Sequence, residues 1–162
     1  MALPEILNKD VLAKTGAFTV ESLDLRFSNG IERKYERLPK VGNEAVIIVA
    51  VSDDAEIMLV REYCAGFHEV RLSLPKGSCE TGEPLKEATC RELAEEIGFS
   101  AKSVQFVKEL SLAPSHMGFT INVMFAKDLY PKQLKGDEPE PVSYTHLRAH
   151  ETPEHIESPL MR

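Results

Sequence analysis

The chain has few cysteines, a shortage of positive charge and no long apolar run. Its 162 residues include three cysteines, Cys64, Cys79 and Cys90. Their number is odd, no CxxC occurs, and the spacings fit no zinc pattern. A disulfide scaffold is not expected; reduced thiols in a cytosolic protein are. Lysine and arginine total 19 against 26 aspartates and glutamates, a net charge of −7. Such a chain lacks the basic surplus needed to grip a nucleic acid backbone. Polyanions remain possible ligands where metal ions bridge the charges. The longest apolar stretch, 45–51, is far too short to span a bilayer. The opening MALPEILNKD holds two acids and no apolar run of a signal peptide. A soluble, cytoplasmic protein without nucleic acid or membrane partners is expected.

What is present suits one globular domain. The composition is 43% hydrophobic and 28% charged, ordinary for such a chain. At this length about 70% of the unfolded surface can be buried without staples. Residues 17–27 alternate apolar and polar, Asn29-Gly30 follows, and IERKYERL completes a predicted hairpin over 17–38. AVIIVAV, 45–51, reads as a central strand buried on both faces, and IMLVREY, 57–63, as its neighbour. From Cys64 to Glu83 glycine and proline punctuate a loop. Pro84 to Gly98 is the clearest helix, with proline at its start and glycine past its end. Cys90, Leu93, Ala94 and Ile97 share its core-facing stripe. VQFVKEL, 104–110, and TINVMFAKDL, 120–129, read as further strands. The order implies a mixed sheet with a helix on one face, an α/β fold.

The same helix carries Glu92, Glu95 and Glu96, which fall on one face at i, i+3 and i+4. Like charges so spaced repel by a few tenths of a kcal/mol per pair. Glu80, Glu83 and Glu87 add acid nearby, and Arg91 can pair with Glu95 at i+4. A solvated acidic face is the plain explanation. A hard divalent cation would instead turn the repulsion into binding, since Mg²⁺ takes carboxylate oxygens and keeps waters for chemistry.

Spacing decides between the two. Gly77, five residues, Glu83, seven residues, then Arg91-Glu92-Leu93-Ala94-Glu95-Glu96-Ile97-Gly98-Phe99 resembles the Nudix box, G-x5-E-x7-R-E-U-x-E-E-x-G-U, with every defined position filled. Chance would produce it on the order of once in ten million chains of this length. The resemblance implies an α/β/α sandwich with a mixed sheet, and hydrolysis of nucleoside diphosphates linked to another moiety, with Mg²⁺ or Mn²⁺. It makes Glu92, Glu95 and Glu96 the expected metal ligands, with the Gly77 carbonyl. Glu83 becomes an outer ligand or loop stabiliser, Arg91 an orienter of the glutamates, and Gly98 a helix cap.

Outside the box, 61–77, 112–119 and 127–141 resemble the NudE-type branch of ADP compounds hydrolases, beside the ADP-ribose pyrophosphatases. This implies ADP-ribose, NADH or short diadenosine polyphosphates as substrates, and a homodimer into which the first hairpin crosses. Arg61, Pro114 and His116 are expected on the substrate side, and Phe67 or Phe119 either packs on adenine or anchors the loop core. ADP-ribose pyrophosphatases often carry a glutamate base in the loop after the box. Residues 111–122 contain no acid. The base is therefore expected in the box, at Glu92 or Glu95, or else at Asp137, Glu138 or Glu140. Two other readings stand beside this one: a nucleoside triphosphate pyrophosphohydrolase, and a nucleotide-binding Nudix domain without catalysis. Domain boundaries are expected at 1–39 for the hairpin region and 40–141 for the Nudix domain. Residues 142–162, which include SYTHLRAHETPEH, resemble translated sequencing adapter. They are expected to be non-native and unstructured.

Overall fold

The structure, a computed structural model, describes residues 2–136 and 143–148. The chain divides into two compact units. The first comprises the residues up to Glu44 together with Glu109–Ile121. The second comprises Ala45–Lys108 and the residues from Asn122 onward.

In the first unit the expected hairpin is a three-stranded antiparallel sheet. Strands β1 (Glu5–Lys14), β2 (Thr19–Arg26) and β3 (Glu32–Arg37) lie in the order β1-β2-β3. The turn after β2 follows its Asn-Gly signal: Asn29 Oδ1 accepts from the Ile31 N–H at 3.1 Å, and Gly30 takes a φ of 79°. β1 is an addition to the expected hairpin. Its register against β2 shifts at Ile6/Asn8 and again at Val11/Ala13, and such bulges erase the period of two by which a strand is read. β2, flanked on both sides, buries Glu21, Ser22 and Leu23. The Glu21 carboxylate accepts from Arg37 of β3 at 2.9 and 3.0 Å and meets Lys9 of β1 at 3.4 Å. Hydrogen bonding from Arg37 holds it below the usual carboxylate range.

The second unit holds the main core. Its strands are β4 (Ala45–Ala50), β5 (Glu56–Cys64), β6 (Glu69–Ser73) and β7 (Lys76–Ser78), followed by helix α1 (Leu85–Glu96). β8 (Phe99–Ser111) and β9 (Thr120–Pro131) belong to it apart from Glu109–Ser111 and Thr120–Ile121, which fall in the first unit, and β10 (Ser143–Arg148) completes it. One sheet has the order β7-β4-β9-β8, with β4 parallel to β9 and antiparallel to β7. The other has the order β10-β5-β6 and is antiparallel. The mixed α/β class is as expected, and among the described residues α1 is its helical layer.

Several details depart from expectation. β4 is central, yet its burial alternates, with Val46, Ile48 and Ala50 fully enclosed and the intervening residues half-buried. β5 is not its ladder neighbour; an isolated Val51–Ile57 bridge links the two runs. The loop of 64–83 contains β6 and β7, strands of five and three residues, too short for periodicity to declare them. Residues 143–148, expected to be unstructured, pair with β5 from Ser143–Arg61 to Arg148–Glu56. A six-residue run can satisfy an open strand edge through its backbone alone, whatever its side chains. The rest of 142–162 lies outside the described residues.

Val46, Ile48, Val60, Leu93, Ile97 and Met124 make the centre of the core. Helix α1 reaches it through Ala88, Leu93, Ala94 and Ile97, while Cys90 is only half-buried. Pro84 is the N-cap, Ile97 the C-cap, and Gly98 leaves the helix at a φ of 72°. The helix-end carbonyls are met by the chain after β9: Leu134 N–H donates to Ala94 O at 2.9 Å and Lys132 N–H to Gly98 O at 3.0 Å. Among the described residues no helix is long and apolar enough to cross a membrane.

Candidate active site

β7 and α1 build the site. Packing of the apolar stripe into the core fixes the rotation of the helix, so Glu92 and Glu96 face β7 and Glu95 shares Arg91 with Glu92. Arg91 is their organiser. Its Nη1 donates to Glu92 Oε1 and Glu95 Oε2, both at 2.9 Å. Nε and Nη2 form a fork on Glu83, both at 3.0 Å, and Nη2 also reaches Ser78 O at 2.8 Å. Planar guanidinium is suited to such multiple contacts. Hydrogen bonding to Glu83 raises the Arg91 pKa further, so its charge is permanent. The same bond holds Glu83 below the usual carboxylate range. Glu83 Oε2 also accepts from the Glu80 N–H at 2.8 Å, closing the loop that leads into the helix.

Gly77 lies against Glu92, and a Cβ built there would fall inside the Glu92 carboxylate. No other residue leaves that space. One residue earlier, the Lys76 N–H donates to Glu96 Oε2 at 3.0 Å. Glu96 is half-buried, and its carboxyl is pushed up to about 7, first by burial and further by the charges of Glu92 and Glu62. A carboxyl that holds its proton near neutrality is poised to exchange that proton for another cation.

The expected ligands Gly77, Glu92, Glu95 and Glu96 thus occupy one corner of the second unit. Among the described residues no group of three or more His, Cys, Asp or Glu side chains is placed to hold a metal ion. Two of the carboxylates are engaged by Arg91 and the third by a backbone N–H. The donor set is nonetheless all oxygen, suited to a hard divalent cation. Gly77, having no Cβ, lets the Glu92 carboxylate lie against β7, and the raised Glu96 carboxyl favours a cation beside it. The residues fit the group.

Arg61 lies half-buried on β5, opposite Leu72 of β6. Pro114 and His116 belong to the first unit, in an exposed turn where His116 O accepts from the Leu38 N–H at 2.8 Å. Phe67 is exposed, with the Arg71 guanidinium 3.5 Å above its ring. Phe119 is half-buried. Asp137, Glu138 and Glu140 lie outside the described residues. Sequence reading passed over Glu62, Ser73 and Lys76, which form a polar cluster beside the β7 edge. No motif marks them, and with Glu62 fourteen positions from Lys76 the sequence carries no signal for the pair.

A glutamate-bearing helix entered from a glycine strand through a Glu–Arg-locked loop defines a class, and comparison gives it a family. Residues 42–157 match the NUDIX domain, and residues 4–37 match the NudE-type Nudix hydrolase N-terminal domain. The chain belongs to the Nudix family. It is 48% identical to the ADP compounds hydrolase NudE of Escherichia coli K12 over 139 residues, covering 86% of this chain and 74% of that one. It is 27% identical to an ADP-ribose pyrophosphatase of Bacillus subtilis 168 over 128 residues, 76% of this chain and 68% of the relative. A crystal structure of an ADP compounds hydrolase superposes with a TM-score of 0.89 at 43% identity, covering 98% of this chain and 85% of that one. Hydrolases of this family generally work with a divalent metal ion.

Proposed function

We propose that this chain hydrolyses the pyrophosphate linkage of ADP-linked compounds such as ADP-ribose, NADH and short diadenosine polyphosphates, releasing AMP. The observation that carries the reading is the set of three glutamates on one face of α1, two of them held by Arg91 and one of these, Glu92, lying against Gly77. The names of the relatives supply the substrate class.

Glu92, Glu95 and Glu96, with the Gly77 carbonyl, would hold Mg²⁺, with Mn²⁺ as a substitute. When bound, such an ion neutralises phosphate oxygens and makes a coordinated water acidic enough to act near neutral pH. Glu92 or Glu95 takes the proton from the attacking water. Arg91 ties the two carboxylates together through one guanidinium nitrogen. Arg61, Pro114 and His116 are assigned to the substrate side. The partner is a second copy of this chain: every residue of β1 is exposed, Ile6, Val11 and Leu12 by more than half. The protein is assigned to the cytoplasm.

The test is AMP release from ADP-ribose with Mg²⁺, run beside a Glu96→Gln variant and a chelator control. Release that disappears in both controls supports the reading. Release of pyrophosphate from nucleoside triphosphates, with ADP-ribose untouched, would replace it with the sanitising alternative. Gel filtration giving a monomer would remove the dimer.

A further inference from the structure

We infer that Glu62 is a positioning residue: with Ser73 it docks the Lys76 ammonium, and so fixes the Lys76–Gly77 backbone against the Glu92 and Glu96 carboxylates. The inference rests on the reading of Gly77, Glu92 and Glu96 as cation-binding groups.

Lys76 has two roles at once. Its backbone N–H donates to Glu96 Oε2 at 3.0 Å, and its successor Gly77 packs against the Glu92 carboxylate. Its side chain turns the other way, to Glu62 Oε1, with Ser73 Oγ 3.5 Å away. Ser73 Oγ donates to the same Glu62 oxygen at 2.8 Å. The position of the backbone therefore depends on where the ammonium is anchored.

An anchor is needed because β7 is weak. It is a three-residue edge strand, paired with β4 from Ala45–Ser78 to Ile47–Lys76, with one more backbone bond from the Ile48 N–H to Pro75 O at 2.8 Å. Strands of that length hold poorly on ladder bonds alone. Leu74 and Pro75 separate it from the end of β6, which belongs to the other sheet. Glu62 sits on β5, opposite Arg71 of β6. Its contact with Lys76 thus joins the β10-β5-β6 sheet to the β7-β4-β9-β8 sheet where the chain crosses between them. The pair is partly sheltered, with side chains 20% and 35% exposed. The shared serine sets it apart from an isolated surface ion pair, whose median contribution is near zero.

The alternative role for Glu62 is a charge effect on the carboxylates, and amide substitution separates the two. Glutamine keeps an acceptor oxygen for Ser73 and Lys76 but removes the charge; alanine removes both. Manganese(II) affinity of the nucleotide-free, full-length protein is measured by titration calorimetry, beside ADP-ribose kinetics and thermal melting. Glu62→Ala is expected to weaken Mn²⁺ binding about three- to tenfold and lower kcat about fivefold or more, with KM moving under threefold. Glu62→Gln stays within about twofold of wild type on each measure. Lys76→Met, which removes the docked group and spares Glu62, weakens Mn²⁺ binding in the same direction as Glu62→Ala.

Mn²⁺ affinity in Glu62→Ala equal to wild type would overturn the inference, even if its melt shifts. So would an equal loss in Glu62→Gln and Glu62→Ala, or tighter binding in Lys76→Met. Wild-type protein that binds no Mn²⁺ overturns the cation-site reading, and this inference with it. A wild type that binds while Glu62→Ala binds as well overturns the inference alone.

Discussion

Replacing Arg91 with methionine removes the cation from the middle of the box. The side chain makes five contacts of 2.8–3.0 Å, four to carboxylate oxygens and one to the Ser78 carbonyl. Two of its carboxylate partners are sheltered, Glu83 at 12% exposed and Glu92 at 10%. Methionine fills much of the volume, so the loss is chiefly electrostatic. Stripping one partner from a largely buried charge network costs about 3–5 kcal/mol. For a chain of this size each kcal/mol lowers the midpoint by about 2–4 °C, so the melt should fall by roughly 6–20 °C in chelator. Raising Mg²⁺ should recover part of that fall, because the ion neutralises the same carboxylates in the folded state only. Arg91→Lys keeps one positive charge but not the fork on Glu83, and should recover less than half. The assay is circular dichroism melting of the three proteins, each with chelator and with Mg²⁺. A drop under about 2 °C for the methionine variant in chelator would refute the organising role of Arg91.

Further outcomes follow from neighbouring groups. Gly77→Ala places a methyl inside the Glu92 carboxylate, so Glu92 must move; about 1–3 kcal/mol of stability should be lost in urea melts, with kcat falling far more than KM. Glu95→Gln should cut turnover by about 10²–10⁴ if Glu95 takes the proton, and a loss under tenfold in a steady-state AMP assay would shift the role to Glu92. The Glu96 carboxyl, raised to about 7 in the fold from an ordinary 4.5, stabilises the metal-free protein in its protonated form. That contribution is complete below about pH 4.5 and is lost as pH rises through about 7. It amounts to up to about 3.5 kcal/mol at 1.4 kcal/mol per unit, less for the part that water still reaches. Urea melts in chelator at pH 5 and pH 8 should show wild type losing more stability than Glu96→Gln, and equal losses would contradict the assignment.

The parts of the site legible in the sequence are those whose geometry is local. Glu92, Glu95 and Glu96 share a face because a helix repeats every 3.6 residues, and nothing outside the helix can alter that. Its boundaries were equally local, set by Pro84 and Gly98. Gly77 and Glu83 became legible through the spacing of a family motif. Physical reasons emerge only in the fold: a Glu92 carboxylate where a Cβ would stand, and an Arg91 fork that closes the loop.

Pairings across the chain are another matter. In sequence β5 reads as a neighbour of β4, because the two runs are adjacent and similarly apolar. It pairs instead with β6 and β10, and no periodicity reports which edge a strand chooses. β1 was hidden by two bulges in its own register. The Glu62–Lys76 contact was hidden for a third reason. Its partners are fourteen positions apart, and the residues between them fold back through β6 and cross between sheets. Each residue alone reads as a solvated charge. A positioning contact of this kind belongs to the topology, and it becomes visible only when the strand that carries Lys76 is seen to be too short to hold its own place.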